Sequence, residues 1–353
     1  MRKSYTLIGV LFLFLTIVFS GCMQKPTLKI YSWLDYIDPN IIEEFESTYR
    51  CKVVIDSYDS NEEMYENIEN SETNFDIICP SGDHLQKLYQ KDYLLELNQQ
   101  LLPNYQHLDD SILKKNKSYD SNNVYGIPYF WGISGLIYNR DCIDSTDVTE
   151  FSWSMLGDPN FKDKITLLEA PREVIGIALL SLGIDPNDSS NENLTKAYEV
   201  VSNWRENGAM YYTLTDISEF PDGDNCLAMY YNGDANYLVR DFPNVGFSLC
   251  KEGSTFWIDS LVIPKNSKNV ELAHQFINFI CDPEIAARNA EYVRYASPNK
   301  SAYDSYISAE MKDNKTIYPS AEYLEKCYPI KNLGPETSKM DSLWNLLIGA
   351  EKK

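Results

Sequence analysis

Five short stretches of this 353-residue chain carry carboxylates, three of them beside aromatic rings: Trp33-Leu34-Asp35-Tyr36, Pro80-Ser81-Gly82-Asp83, Glu169-Ala170-Pro171-Arg172-Glu173, Tyr231-Asn232-Gly233-Asp234 and Phe256-Trp257-Ile258-Asp259. Carboxylates pair with cations, and the faces of indole and phenol rings attract them as well. A flexible chain of methylenes with an ammonium at each end, a diamine or a triamine, would find all its contacts in such a set. An exposed ion pair contributes less than about 1 kcal/mol, whereas a desolvated cation–π contact adds about 2 kcal/mol. The site must therefore be enclosed, and closure of two lobes about a hinge would enclose it.

Each of these residues also has a plainer reading. Asp35 and Tyr36 fit a polar turn before the Asp38-Pro39 helix start, and Asp83 fits a cap on the helix that follows it. Glu173 could be a solvated acid in a first helical turn, favoured there by the helix dipole. Trp257 and Tyr295 could be core aromatics. Asp259 is harder to explain away, because an acid within an apolar strand needs a partner.

Other chemistries have less material. Histidine occurs only at His84, His107 and His274, no metal-ligand spacing is present, and neither a nucleophile elbow nor a histidine-based triad is evident. No cofactor is implied. An enzyme would have to be a glycosidase working with two carboxylates. A receptor for a sugar, an amino acid or a metal ion is the nearer alternative, and a sensor presenting the same ligand to a membrane receptor would share the same pocket.

The elements that must position these residues alternate along the chain. Leu28 to Tyr31 reads as a strand. Asp38 caps a helix with Pro39 in its first turn and Ile41, Ile42, Phe45 and Tyr49 on one face. Lys52 to Ile55 is the next strand, Ser60-Asn61-Glu62-Glu63 a capping box, and Phe75 to Cys79 a third strand stopped by Pro80. This β-α-β-α-β order implies a parallel sheet with helices on both faces. Strands over Ser134 to Tyr138, Ile165 to Leu168, Leu227 to Tyr231 and Phe256 to Pro264 continue the rhythm. Helices are expected from Arg172 to about Leu182, from about Asn191 to Glu206, from Val270 to Cys281 and from Pro283 to Tyr292. Ligands of open α/β sheets bind beyond the carboxyl ends of the strands, which is where most of the acid–aromatic stretches fall.

At the start, Arg2 and Lys3 precede an apolar run from Leu7 to Phe19 that ends in Ser20-Gly21-Cys22. This is a signal-peptide pattern, too short to span a membrane. Small residues before a cysteine resemble the lipobox of bacterial lipoproteins, so residues 1–21 are expected to be removed and Cys22 lipidated. The 31 Lys+Arg and 52 Asp+Glu give a net charge of −21, more negative still once Arg2 and Lys3 leave with the leader. Such a surface disfavours nucleic acid and steers cations inward, although acidity also serves solubility. The seven cysteines after Cys22 are scattered, with no C-x-x-C pair, so free buried thiols are expected and no disulfide framework.

The chain resembles the spermidine/putrescine-binding proteins of polyamine ABC importers. The resemblance rests on Trp33-Leu34-Asp35-Tyr36, Tyr58-Asp59-Ser60-Asn61-Glu62-Glu63-Met64-Tyr65, Pro80-Ser81, Ile127-Pro128-Tyr129-Phe130-Trp131-Gly132, Pro171-Arg172-Glu173-Val174, Tyr231-Asn232-Gly233-Asp234, Phe256-Trp257-Ile258-Asp259-Ser260 and Tyr295-Ala296-Ser297-Pro298-Asn299. It covers essentially the whole mature chain, and the order and spacing of the motifs make it specific. It implies a two-lobed α/β type II periplasmic-binding-protein fold with mixed, mainly parallel sheets flanked by helices. The expected lobes are 27–132 plus 258–305 and 133–257 plus 306–353, with the ligand cleft between them.

The same resemblance puts Trp33, Asp35, Tyr36 and Ser81 at one end of a polyamine. Glu173 and Asp259 would pair with ammoniums, Trp257, Tyr231 and Tyr295 would wall the methylenes, and Asp234 would add a further acid. It implies no enzyme activity, permease subunits of an ABC importer as partners, and an extracytoplasmic, lipid-anchored and monomeric protein. Four positions depart from the pattern of some members. Asp83, which would supply a fifth acid to the ligand or cap the following helix, replaces an aromatic, Ile330 a glutamine, Tyr231 a tryptophan and Ala170 an aspartate, which leaves the choice between putrescine and spermidine open.

Overall fold

Strand β1 (Thr27–Trp33) lies in parallel register with β2 (Lys52–Tyr58), its residue Leu28 opposite Val53 and Trp33 opposite Tyr58. On its other side it pairs in parallel with the two-residue β3 (Ile77–Ile78). The computed structural model describes residues 25–349 apart from 71–73, 144–147, 149 and 213. The leader and Cys22 lie outside the described residues.

The connecting helices start as their sequences require. In α1 (Pro39–Tyr49), the Asp38 carboxylate accepts from the Asn40 amide at 2.9 Å. Ahead of α2 (Asn61–Asn70), the Glu63 amide donates to the Ser60 hydroxyl at 3.1 Å, and the Glu63 carboxylate reaches back to the Asp59 amide at 3.0 Å. This is the reciprocal arrangement of a capping box, shifted by one residue on its return arm. Helix α3 (Gly82–Gln90) opens directly after Pro80-Ser81.

The sheet then leaves parallel order. Strand β4 runs for fourteen residues (Gly126–Asn139), all of them buried. Its first half pairs antiparallel with β9 (Ser254–Val262), and its second half pairs antiparallel with β7 (Leu227–Tyr231) and β8 (Val245–Ser248). Beyond β7 lie β5 (Ile165–Leu168) and the edge strand β6 (Met210–Tyr212), both parallel. A short β10 (Cys327–Pro329) pairs with the start of β9.

Two cores sit on either side of this crossing. One collects Leu28, Ile41, Phe45, Ile77, Ile133, Ile258 and Phe276, and the other Leu136, Ile165, Val174, Val201, Leu227 and Trp344. A smaller cluster with Tyr31, Tyr58, Met64, Leu85 and Val262 covers the opposite face of the first sheet. Helices α4 (Pro171–Ser181), α5 (Asn191–Glu206) and α6 (Asn232–Asp241) flank the second core. Helices α7 (Val270–Ile280) and α8 (Pro283–Val293) flank the first, and α9 (Thr337–Gly349) returns to the second. The result is the expected two-lobed α/β architecture, in which continuous strands replace a flexible linker.

The expectation of only free thiols needs correction. Cys142, just past β4, and Cys226, just before β7, form a disulfide with their Cα atoms 5.5 Å apart. Antiparallel pairing of β4 with β7 brings together two cysteines 84 residues apart in sequence, and spacing alone cannot show that. Cys51, Cys79, Cys250, Cys281 and Cys327 are free and buried.

Candidate functional site: the cleft between the lobes

Residues two apart on a strand face the same side, so Thr255, Trp257 and Asp259 form one row along β9. Gly132 of β4 lies opposite Trp257, and a Cβ there would come within 2.4 Å of the indole ring. Only glycine lets the tryptophan lie flat against the neighbouring strand.

Asp259 is 4% exposed and accepts two hydroxyl donors, Tyr36 at 2.7 Å and Ser81 at 2.6 Å. Each comes from a chain end that the first sheet delivers. Tyr36 follows the turn after β1, and Ser81 forms an isolated antiparallel bridge with Asp259 itself. Burial pushes the Asp259 carboxyl up to about 7, against the two hydroxyls, while the charges of Asp83 and Asp234 push it further.

Tyr295 is positioned by the end of α8. Arg294 adopts a left-handed backbone (φ 67°) that stops the helix, and Ala296 then bridges to Trp131 of β4. The Tyr295 hydroxyl donates to Asp234 at 2.8 Å. Asp234 stands in the first turn of α6, so this hydrogen bond joins the two lobes. Asn232 anchors that helix start, accepting from the Ile133 amide at 3.2 Å and donating to the Thr316 carbonyl at 2.9 Å. Burial raises Asp234 to about 6, partly offset by the tyrosine hydroxyl.

The aromatic walls meet edge to face. Trp257 lies 5.0 Å from Tyr295 and 6.0 Å from Tyr231, and Tyr36 lies 5.9 Å from Tyr295. Trp33 is set back from this group, tilted against Tyr58 at 4.7 Å.

Glu173 is not a solvated acid. It is 6% exposed in the first turn of α4 and accepts from the hydroxyls of Ser134 on β4 and Thr255 on β9. Burial raises its carboxyl above the ordinary range despite these donors. Asp83 lies in the first turn of α3 and pairs with His84 at 3.1 Å; the residue at the N-cap is Ser81, not Asp83. Burial alone would raise Asp83, but His84 and Arg172 outweigh it and hold the carboxyl below the usual range. Asp35 takes a left-handed backbone (φ 52°) in the turn after β1, and its side chain is exposed.

The structure therefore gathers Tyr36, Ser81, Tyr231, Asp234, Trp257, Asp259 and Tyr295. Glu173 and Asp83 stand at one flank, Trp33 behind, and Asp35 on the outer rim. Sequence reasoning missed Tyr119, which is 1% exposed and donates to the Phe256 carbonyl at 3.0 Å. Its ring occupies the space that a side chain on Gly82 would need. Nothing in the polar stretch around Tyr119 marks it. Ser134 and Thr255 were also missed, and only the register of β4 and β9 could have revealed them.

A two-lobed α/β fold that gathers buried carboxylates and aromatic rings where the lobes meet is the arrangement expected of a solute-binding protein. The family model for bacterial extracellular solute-binding proteins matches residues 40–319. The spermidine/putrescine-binding periplasmic protein of Salmonella typhimurium is 33% identical over 304 residues, 86% of each chain. A putative spermidine/putrescine ABC transporter structure from Listeria monocytogenes superposes with a TM-score of 0.83 at 35% identity, covering 92% of this chain and 99% of its own. The Tp0655 lipoprotein of Treponema pallidum superposes with a TM-score of 0.80 at 25% identity, covering 91% and 99%. The chain belongs to the bacterial extracellular solute-binding protein family, a non-catalytic and extracytoplasmic one.

Proposed function

We propose that this protein captures a polyamine of the putrescine/spermidine type in the interlobe cleft and delivers it to the permease of an ABC importer. The observation that carries this reading is charge without counter-charge. Among the described residues, neither Asp259 nor Asp234 forms an ion pair with a lysine, arginine or histidine, and each takes only hydroxyl donors. A cationic ligand would supply the missing partner, and the surrounding rings would cover its methylenes. Asp259 and Asp234 would take ammoniums, with Tyr36 and Ser81 orienting the first and Tyr295 the second. Trp257, Tyr231 and Tyr295 would wall the chain, Glu173 would add charge at one flank, and Trp33 and Asp35 would act at the rim. The relatives named for spermidine and putrescine support the same ligand class.

The lobes in this reading are 27–132 plus 258–305 and 133–257 plus 306–353, with one adjustment. Met311, Ile317 and Cys327 pack in the first core and Met340 in the second, so the last return is better placed after residue 327. Lipid attachment at Cys22 and a monomeric state complete the proposal. Calorimetry with putrescine, cadaverine, spermidine and spermine, beside a sugar and an amino-acid panel, tests it. Binding of a polyamine is expected. Heat from a sugar or amino acid and none from any polyamine would overturn it.

A further inference from the structure

The pairing of β4 with β9 slips beside the central acid of the cleft. Pro128 lies opposite Ser260 and Phe130 opposite Asp259, which leaves Tyr129 between them as an extra residue. Such a bulge re-aims a side chain. The Tyr129 hydroxyl donates to the Tyr36 carbonyl at 2.8 Å and accepts from the Asn289 side-chain amide at 2.6 Å. The Asn289 oxygen in turn accepts from the Asp38 backbone N–H at 2.9 Å. The direction of this relay is fixed at both ends, because the Asp38 N–H can only donate and the Tyr36 carbonyl only accept. Tyr36, Asp38, Tyr129 and Asn289 are all buried, so a broken link would find no water to replace it.

The relay grips the turn that carries Tyr36. It takes hold one residue after Asp35, whose left-handed backbone (φ 52°) is relieved by no glycine and persists where the surroundings fix it. Asn289 belongs to α8, the same helix whose end delivers Tyr295. One helix therefore sets the hydroxyl partners of both acids, Tyr36 on Asp259 and Tyr295 on Asp234.

We propose that Tyr129 and Asn289 are positioning residues of the binding site: touching no ligand themselves, they hold the Tyr36 turn so that the Tyr36 hydroxyl stays on Asp259. This inference rests on the polyamine reading of the cleft and deepens it. Without the Tyr129 hydroxyl, the Tyr36 carbonyl and an Asn289 N–H would be buried without partners, and the turn would shift to satisfy them. The Tyr36 ring, edge to face with Tyr129 at 5.7 Å and with Phe130 at 5.1 Å, would shift with it.

A double-mutant cycle read by calorimetry with putrescine and spermidine tests this role. Tyr129→Phe keeps the ring and is expected to weaken binding by about fivefold or more. In a Tyr36→Phe background the same change should cost less than about twofold, because the hydroxyl it positions is already gone. Asn289→Ser breaks the relay at its other end and should show the same non-additivity, which decides the cycle even if Tyr129→Phe folds poorly. A purely structural hydroxyl gives another pattern: Tyr323→Phe, which frees the Cys250 carbonyl, should lower the melting temperature and leave affinity within about twofold in either background. The pH profile is a second readout. Tyr36 and Ser81 lower the Asp259 carboxyl while Asp83 and Asp234 raise it, and only the Tyr36 contact is disturbed. The pH below which affinity falls should therefore rise in Tyr129→Phe, as it does in Tyr36→Phe. An equal loss in both backgrounds, or a Tyr129→Phe protein with wild-type affinity and pH profile, would overturn the inference and leave the polyamine receptor intact. No binding of either amine by the wild type would instead overturn the polyamine reading itself.

Discussion

A buried aspartate held only by two hydroxyls is poised to gain a cation. Replacing it removes the charge and keeps the shape, so Asp259→Asn is expected to weaken polyamine binding by about 2–5 kcal/mol. Calorimetry showing a loss of only a few tenths would place Asp259 outside the contact set. The same residue sets a pH dependence. With its carboxyl near 7 in the empty cleft, a cation arriving below that pH must displace a proton, so affinity should fall by up to about tenfold per pH unit as pH drops below about 7. Above that range it should level off. The groups facing Asp259 act consistently: Asp83 and Asp234 raise it, and Ser81 and Tyr36 lower it. Proton release on binding, measured at pH 6.5 in buffers of different ionisation heat, checks the sign. An affinity that does not change between pH 5.5 and 8 would contradict it. Folding of the empty protein has the opposite sign, because a carboxyl raised on folding costs stability as pH climbs through the same range.

At the scale of elements, two close approaches set the aromatic wall. A Cβ on Gly233 would come within 2.3 Å of the Tyr295 ring. Gly233→Ala must therefore push the ring away from Asp234 or move α6, and a loss of about 1–3 kcal/mol in stability is expected from such overpacking, with weaker ligand binding. Thermal unfolding beside calorimetry separates the two effects. Trp257→Leu should cost less affinity than Asp259→Asn but change the ranking among amines of different length. An unaltered ranking would make the indole simple packing. Much of this element level was legible in the sequence. The capping box at Ser60, the Asp38-Pro39 helix start and the core strands all announce themselves through local chemistry. Strands β6, β8 and β10, three or four residues long, were not expected; unlike the equally short β5, an unbroken Ile-Thr-Leu-Leu run, they offer no apolar run to mark them.

At the scale of the molecule, β4 runs through both halves, so hinge motion between the lobes must bend a continuous strand. The Cys142–Cys226 disulfide lies wholly on the second-core side of that crossing and ties the end of β4 to the start of β7. It should stabilise that lobe without entering the cleft. Cys142→Ser is expected to cost about 4 kcal/mol for a loop of this length and to leave polyamine affinity nearly unchanged. Denaturant unfolding with and without reductant reads the first, and calorimetry the second.

The sequence by itself determined the local chemistry: which segments become strands and helices, which residue types could hold an organic cation, and through ordered motifs the family. These are properties of neighbours along the chain, where caps, periodicity and strand ends act over a few residues. Tertiary structure decided which of those residues meet. Glu173 became a buried acceptor, Asp83 acquired His84, Asp35 stayed at the rim, Tyr119 entered the cleft wall, and two distant cysteines joined. Each outcome depends on strand register and on the approach of two lobes, and therefore on contacts between residues tens to hundreds of positions apart that no local pattern encodes.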